Sequence, residues 1–341
     1  MVDAAKAFDA LLLVSFGGPE GPEDVWPFLE RVAAGRNIPS ERLVEVAERY
    51  NTLGGVSPLN QRFRALAREL ASSLEDLPIY WGNRNAEPLL AKTLVAMADA
   101  GHKRVLAWSA SPYSSHSSCR KYAEDLEAAQ AAAGGTKPLV EWIRRHHDHP
   151  GLIEPAADRL AESLGRLPAS QRESAVLIFS AHSIPTEMAV GCRYEAEIAE
   201  AATLVSEIVD PAGNHRREMV WQSRSGPPNR RWLEPDVADR LRELAAEGIK
   251  AVVVSPIGFP VENFEIAWDL DVEAARVARE TGLTFERAKT VDDDPRFVAM
   301  ITDLVAERTR PNNKERASLG ALGVAPDRCP GDCCPATYQD Q

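Results

Sequence analysis

Short runs of apolar residues recur along the chain at 10–16, 79–81, 105–108, 175–179, 219–221 and 251–254. Each is nearly continuous rather than alternating, the pattern of strands buried on both faces. Most are followed by polar-rich stretches with apolar positions at helical spacing, as in 62–74 and 87–100. Strand followed by helix, repeated, predicts an α/β fold with parallel sheets. Helix signals agree. Pro22-Glu23-Asp24 opens one amphipathic segment, Ser57-Pro58 precedes another, Glu234-Pro235-Asp236 begins a third, and Gly101 and Gly248 follow helical runs. The expected architecture is two Rossmann-like, doubly wound domains with a central cleft. The boundary is expected in the His-rich stretch 146–150, giving an N-terminal domain at 8–147 and a C-terminal one at 148–308. Residues 309–341 read as a Pro-, Asn-, Gly- and Cys-containing tail unable to form another strand–helix pair.

Composition narrows the function classes. The 341 residues are 44% hydrophobic and 26% charged, enough to bury a sizeable core. A formal net charge of -12 argues against a nucleic-acid partner, since binding there rests on neutralising phosphates. The densest basic stretch, Arg216 and Arg217 with Arg224, Arg230 and Arg231, reads as a solvated face, with an anionic small molecule as the other option. No apolar run reaches the roughly 18–20 residues of a membrane span, and the first residues lack a basic-then-apolar export pattern. No membrane insertion and a cytoplasmic location are therefore expected. Five cysteines are too few for a disulfide scaffold, and Cys329, Cys333 and Cys334 lie together near the C-terminus. That spacing points to metal chemistry.

Open sheets of this kind bind ligands beyond the carboxyl ends of their strands. The run 175–179 leads into Ser180-Ala181-His182-Ser183-Ile184-Pro185, setting His182 just past a buried strand, where an imidazole is either a site residue or a cap on the sheet edge. The run 251–254 leads into a segment carrying Glu262, Glu265 and Asp269, a spacing that on an α-helix stacks three carboxylates on one face. Such neighbours raise one another's pKa, which suits a proton acceptor or a stripe for a hard cation; otherwise they form a solvated acidic face.

Taken in order, several segments resemble the ferrochelatase family. They are Leu13-Val14-Ser15-Phe16-Gly17-Gly18-Pro19, the segment from Arg49-Tyr50-Asn51 to Ser57-Pro58-Leu59, Ser180 to Pro185, Trp221-Gln222-Ser223, Trp232 to Val237, and Gly258-Phe259 through Asp271. The resemblance implies an enzyme that inserts Fe2+ into a porphyrin bent within the cleft. It also implies His182 and Glu265 as the catalytic and metal-handling pair, with Glu262 and Asp269 as a supporting path for metal or protons. Imidazole and carboxylate suit Fe2+ without holding it as thiolates would. The same resemblance assigns Arg36, Arg49, Tyr50 and Ser57 to the substrate's propionates, with Tyr122 as a further candidate.

Two positions depart from the family pattern. Phe16 stands where several bacterial relatives carry a tyrosine able to ligate metal, and Asn263 where many have histidine. The resemblance further implies a 2Fe-2S cluster on Cys119, Cys329, Cys333 and Cys334, with Cys192 left as a free thiol and structural zinc as the rival occupant. An early apolar docking insertion is missing, as in actinobacterial members that convert coproporphyrin III to coprohaem on the route to haem b; protoporphyrin IX is the other substrate. Transient contacts with neighbouring haem-pathway enzymes fit the same picture. Rival readings are a corrin-precursor chelatase, which would want a histidine pair, and a non-catalytic porphyrin or haem carrier, which would not need Glu265. A dinucleotide oxidoreductase is disfavoured, because Gly17-Gly18-Pro19 lacks the full GxGxxG pattern.

Overall fold

Two parallel four-stranded sheets form the centre of the molecule. The first contains β1 (Ala10–Ser15), β2 (Ile79–Asn83), β3 (Arg104–Ser109) and β4 (Leu139–Trp142), in the order β2-β1-β3-β4. The second contains β5 (Val176–His182), β6 (Arg217–Gln222), β7 (Ala251–Ser255) and β8 (Thr284–Arg287), in the order β6-β5-β7-β8. The structure, a computed structural model, describes residues 7–35, 38–135, 137–226, 229–310 and 315–336. Arg36 lies outside the described residues.

Strand order is the same in both sheets, and the first strand of each in the sequence is internal. In β1, Leu11 to Val14 are wholly buried, and in β7 Val252, Val253 and Val254 are too. This is why the apolar runs are continuous: helices cover both faces. β4 and β8 carry no such run, because they are edge strands with partly exposed side chains. One strand end also moves. β5 continues to His182, which pairs with Gln222 of β6, so the histidine is the last strand residue rather than the first of the loop.

The helix signals act as expected. Pro22 opens the helix Pro22–Ala33, and the Asp236 side chain accepts from the amide of Ala238 at 2.8 Å to cap Val237–Ala246. The helix Pro295–Thr309 packs on both Pro150–Arg166 and Leu59–Ser73, tying the end of the second sheet unit back to the first.

The stretch expected as a link is not an exposed one. His146, His147, Asp148 and His149 are buried: His146 stacks on Trp108, His147 lies beside Tyr113, and the tail bonds to Asp148. Arg144 is fully buried, holds Glu307 through Nε and a terminal nitrogen at 2.7 and 2.8 Å, and donates to the carbonyl of Ala317 at 2.9 Å. The amide of Leu319 donates to the carbonyl of Asp148 at 3.0 Å. Residues 315–336 of the tail form no strand or helix, as the composition suggests, yet they are docked by such bonds.

Candidate active site and thiol cluster

At the carboxyl end of β5, the His182 Nε2 lies 3.5 Å from Glu265 Oε1, while its Nδ1 is 2.5 Å from the carbonyl of Ser183. That carbonyl contact selects the ring orientation that turns Nε2 outward. The hydroxyl of Tyr194 donates to the His182 carbonyl at 2.9 Å and fixes the strand end from behind. Gly258 permits the approach of the following loop: a Cβ there would meet the Ala181 Cβ at 2.5 Å, while its amide donates to the Ser180 carbonyl at 3.0 Å. Partial burial works against a charged His182 ring, but the Glu265 carboxylate outweighs it and raises the pKa to about 9.

Glu265 begins a widened helix. Across Ile266–Ala274 the backbone forms a π-helix, ending with the amide of Ala275 on the carbonyl of Leu270. Turns of this width bring residues four apart nearly into line. The acidic line is therefore Glu265, Asp269 and Glu273, and both glutamates act electrostatically on Asp269. This corrects the expected stack of Glu262, Glu265 and Asp269, which assumed an α-helix starting before Glu262. The helix starts at Phe264, where the Asn263 side chain accepts from the amide of Ile266 at 3.1 Å. Glu262 precedes it and pairs with Arg287 at 2.7 Å; Arg287 also grips Asp271 at 2.7 and 2.9 Å. Asn263, at the family's histidine position, is thus the helix cap.

Asp269 is buried, and burial pushes its carboxyl up to about 7, with the charges of Glu265 and Glu273 adding to the effect. Opposing them, the Ser223 hydroxyl donates to Oδ2, and the Gln222 amide reaches the same oxygen at 3.4 Å. Ser223 has φ 62°, the only positive value outside glycine among the described residues. The strained backbone at the end of β6 is what turns its hydroxyl to the carboxylate. Gln222 and Ser223 enter the sequence reading only within a family segment, without a site role, and Glu273 does not enter it. For Glu273 a signal existed, the fourfold spacing 265, 269, 273.

The first sheet unit faces this group with aromatic rings and arginines. Tyr50 stacks on Phe264, ring centroids 3.5 Å apart, and Phe264 lies over Trp268 at 6.4 Å. Arg49 sits 5.6 Å above the Trp268 ring and is bridged to Glu45 at 2.7 Å. Arg84 is paired with Asp125 at 2.5 Å and lies over the rings of Tyr122 and Phe16, at 4.5 and 5.4 Å. The charge of Glu265 raises the phenol pKa of both Tyr50 and Tyr122, after the larger effect of burial, which places these rings near the carboxylate. Of the residues expected to hold propionates, Arg49 and Tyr122 border the second unit. Tyr50 is buried in the ring stack, and Ser57 is buried against Gly18, where an added Cβ would meet its Cβ at 2.5 Å. As placed, the two serve packing, because each is surrounded on the protein side. The arginine-rich stretch is largely paired off, Arg216 with Glu218 and Glu247 and Arg230 with Glu187.

A second group of donors lies apart from the first. The tail brings Cys333 and Cys334 into thiol contact with Cys329 and Cys119, the last on the short π-turn His116–Arg120. No disulfide joins them. Arg145 donates to the Cys329 Sγ at 2.8 Å and lies 4.0 Å from the Cys119 Sγ. The Cys119 pKa falls to about 6, first through the hydrogen bond from Cys334 and then, against burial, through the charge of Arg145. Cys334 and Cys333 shift upward, Cys334 chiefly because it donates to Cys119. Four thiols with a cation beside them suit a centre that binds thiolate anions. Cys192 stays apart, donating to the carbonyl of Met188 at 3.2 Å.

Known proteins resemble this chain throughout. The ferrochelatase family model matches residues 8–309. The coproporphyrin III ferrochelatase of Streptomyces griseus is 45% identical over 96% of this chain and 94% of its own length. That of Frankia alni is 47% identical over 97% and 87%, and a ferrochelatase of Rhodopirellula baltica is 46% identical over 96% and 93%. Among solved structures, SirB from Bacillus subtilis with Fe3+ superposes with a TM-score of 0.53 at 9% identity, covering 89% of this chain and 96% of SirB, which speaks to the fold alone. With a whole-length family match and relatives this close, the chain belongs to the ferrochelatase family.

Proposed function

We propose that the chain inserts Fe2+ into coproporphyrin III in the cytoplasm, with His182 and Glu265 as the reacting pair. The observation that carries this reading is their contact at 3.5 Å, between the end of β5 and the first turn of the helix from Phe264, beside the rings of the first unit. Metallation requires two pyrrole protons to leave as Fe2+ enters. Glu265 and the neutral form of His182, which gains weight as pH rises toward about 9, take those protons, and Asp269, with its carboxyl near 7, passes them along the line toward Glu273. Imidazole and carboxylate also hold Fe2+ loosely enough to surrender it. Glu262 stands aside from this line, neutralising Arg287.

Arg49 is the proposed contact for a substrate carboxylate. Its partner Glu45 is half-exposed and four residues away on one helix, a pairing of about 0.3–0.5 kcal/mol that a propionate can replace at little cost. Arg36, Tyr50, Ser57 and Tyr122 complete the proposed substrate set, with Tyr50 and Ser57 acting as the packed floor beneath it. Phe16 offers no donor atom opposite His182, so insertion is taken to proceed from the histidine side. Support for coproporphyrin III comes from the names of the Streptomyces and Frankia relatives. Within this reading the working units are residues 8–147 and 148–308, each holding one sheet, with 309–341 as the cysteine-bearing tail.

Cys119, Cys329, Cys333 and Cys334 would hold a 2Fe-2S cluster, supported by the convergence of their thiols and by the Arg145 charge. Such a cluster supplies one-electron redox chemistry when bound. Arg145 offsets its thiolate charge, and the tail contacts to Asp148 and Arg144 keep three of the four thiols in place.

Anaerobic mixing of the purified protein with Fe2+ and either porphyrin, followed by loss of porphyrin fluorescence, tests the proposal. Faster turnover of coproporphyrin III is expected; preference for protoporphyrin IX would overturn the substrate assignment, and no turnover would favour a carrier. A brown protein whose visible absorption disappears in Cys119→Ser supports the cluster, and a colourless protein with one bound zinc refutes it.

A further inference from the structure

We infer that His147, Asp148 and Glu200 form a site for a divalent first-row metal ion, separate from both His182 and the thiols, which fastens the C-terminal tail to the body of the protein. One ligand atom from each of the three lies within 4.8 Å of the other two. The His147 Nε2 is 2.9 Å from Glu200 Oε2, and its Nδ1 is 4.0 Å from Asp148 Oδ1. His147 and Asp148 are 1% and 0% exposed, and the Glu200 side chain 13%.

Two observations turn this proximity into a site. The buried His147 Nδ1 and Asp148 Oδ1 face each other, yet neither has a hydrogen-bond partner. A buried polar atom left unpaired is costly, and a carboxylate oxygen more so. Charge gives the second. Among the described residues no Lys or Arg forms an ion pair with Asp148 or Glu200; both pair with His147, and Asp148 also acts on the neighbouring His149. Their other contacts are neutral: the Ser318 hydroxyl on Asp148, and the Leu322 amide on Glu200 at 2.8 Å. The nearby arginines are engaged elsewhere, Arg144 with Glu307 and Arg145 with Glu197. One buried and one largely buried carboxylate thus share one imidazole, and a dication held by one nitrogen of His147 and both carboxylates offsets their charge and gives Asp148 Oδ1 a partner. One nitrogen and two carboxylate oxygens suit Zn2+ or Fe2+.

The same residues hold the tail. Ser318 and Leu319 bond to Asp148, Leu322 bonds to Glu200, and Gly320 passes so close to Glu200 that a Cβ there would lie 2.2 Å from Oε2. The tail therefore roofs the site, and its opening and release of the ion are linked. Because this segment carries Cys329, Cys333 and Cys334, the ion would order three of the four thiols without touching them.

The test uses the full chain with Cys329→Ser and Cys333→Ser, leaving only Cys119 and Cys334 of the four thiols, after stripping with chelator. Loading with Co2+ alone should leave a visible d–d absorption without thiolate charge transfer. That signal should survive His182→Ala and be lost in Asp148→Asn or Glu200→Gln, nearly isosteric changes that retain the tail's hydrogen bonds. Equal cobalt in parent and both variants, or a signal abolished by His182→Ala alone, overturns the proposal and leaves His147 hydrogen-bonded to Glu200 and facing Asp148. A second readout needs no change at the site. With Zn2+ at ten times its dissociation constant, trypsin cleavage after Arg316 and Arg328 should slow about tenfold through mass action on tail opening. An unchanged cleavage rate would equally overturn it.

Discussion

The two sheet units share one strand order, yet they finish their central strands differently. In the first, Ser15 and Asn83 pair at the ends of β1 and β2, and their polar groups are used up locally. Asn83 donates to Asn60 at 3.2 Å and to the carbonyl of Glu87 at 3.0 Å, while Asn60 holds both the amide and the carbonyl of Gly18. In the second, His182 and Gln222 pair at the ends of β5 and β6, and their polar atoms reach forward to Glu265 and Asp269. One network is closed and neutral; the other is open and charged. The same scaffold thus yields a structural end and a chemical end, according to whether its last strand residues satisfy one another.

Substitution at matching places should separate the two. His182→Ala should cut metal insertion by about 10²–10⁴-fold, the usual range for losing a positioned acid or base, with circular dichroism unchanged. Asn83→Ala should do the reverse: unfolding stability falls by about 1–3 kcal/mol for each partner left buried and unpaired, while kcat of the folded fraction holds. Loss of kcat in folded Asn83→Ala would erase the distinction.

Protonation offers finer probes. With Glu265→Gln, the pH at which insertion reaches its plateau should drop from about 9 toward the ordinary imidazole value of about 6.5. The parent's His182–Glu265 pair, its folded pKa raised, stabilises fully below about pH 6.5 and loses that contribution as pH rises through about 9. Denaturation midpoints of parent and variant should converge above that pH. Asp269 behaves oppositely as an acid whose folded pKa is raised: ionising it costs stability, so Asp269→Asn should gain stability over the parent as pH climbs from about 4 to about 7. A gain independent of pH would refute the assignment. Ser223→Ala should act most gently. Losing a hydrogen bond to a charged group, about 1.5–3 kcal/mol, should move the Asp269 inflection up by about one to two pH units and leave the plateau rate intact.

Much of this arrangement is legible in the sequence because burial leaves a plain mark. The internal strands β1, β3, β5 and β7 read as continuous apolar runs, and His182 stands out by following one of them. Edge strands β4 and β8 escape notice since their exposed flanks admit Glu141, Glu286 and Arg287. The acidic line was half legible. Glu265 and Asp269 were found, but Glu262 was included and Glu273 passed over, because the choice between α and π winding depends on tertiary packing. The tail's docking leaves no sequence trace, since it rests on bonds to main-chain groups of distant residues, such as Leu319 to Asp148.

The π-helix makes this site sensitive to chain length as well as to residue identity. An α-helix turns by about 100° per residue, so deleting Leu270 or Val272 and letting the segment rewind would leave Glu273 three residues from Asp269, on the same broad face but about 60° out of line, while changing no carboxylate. The surplus residue works as a phase setting for the acidic groups. Insertions and deletions here therefore shift the acidic groups against one another without altering any of them, an effect that substitution cannot produce.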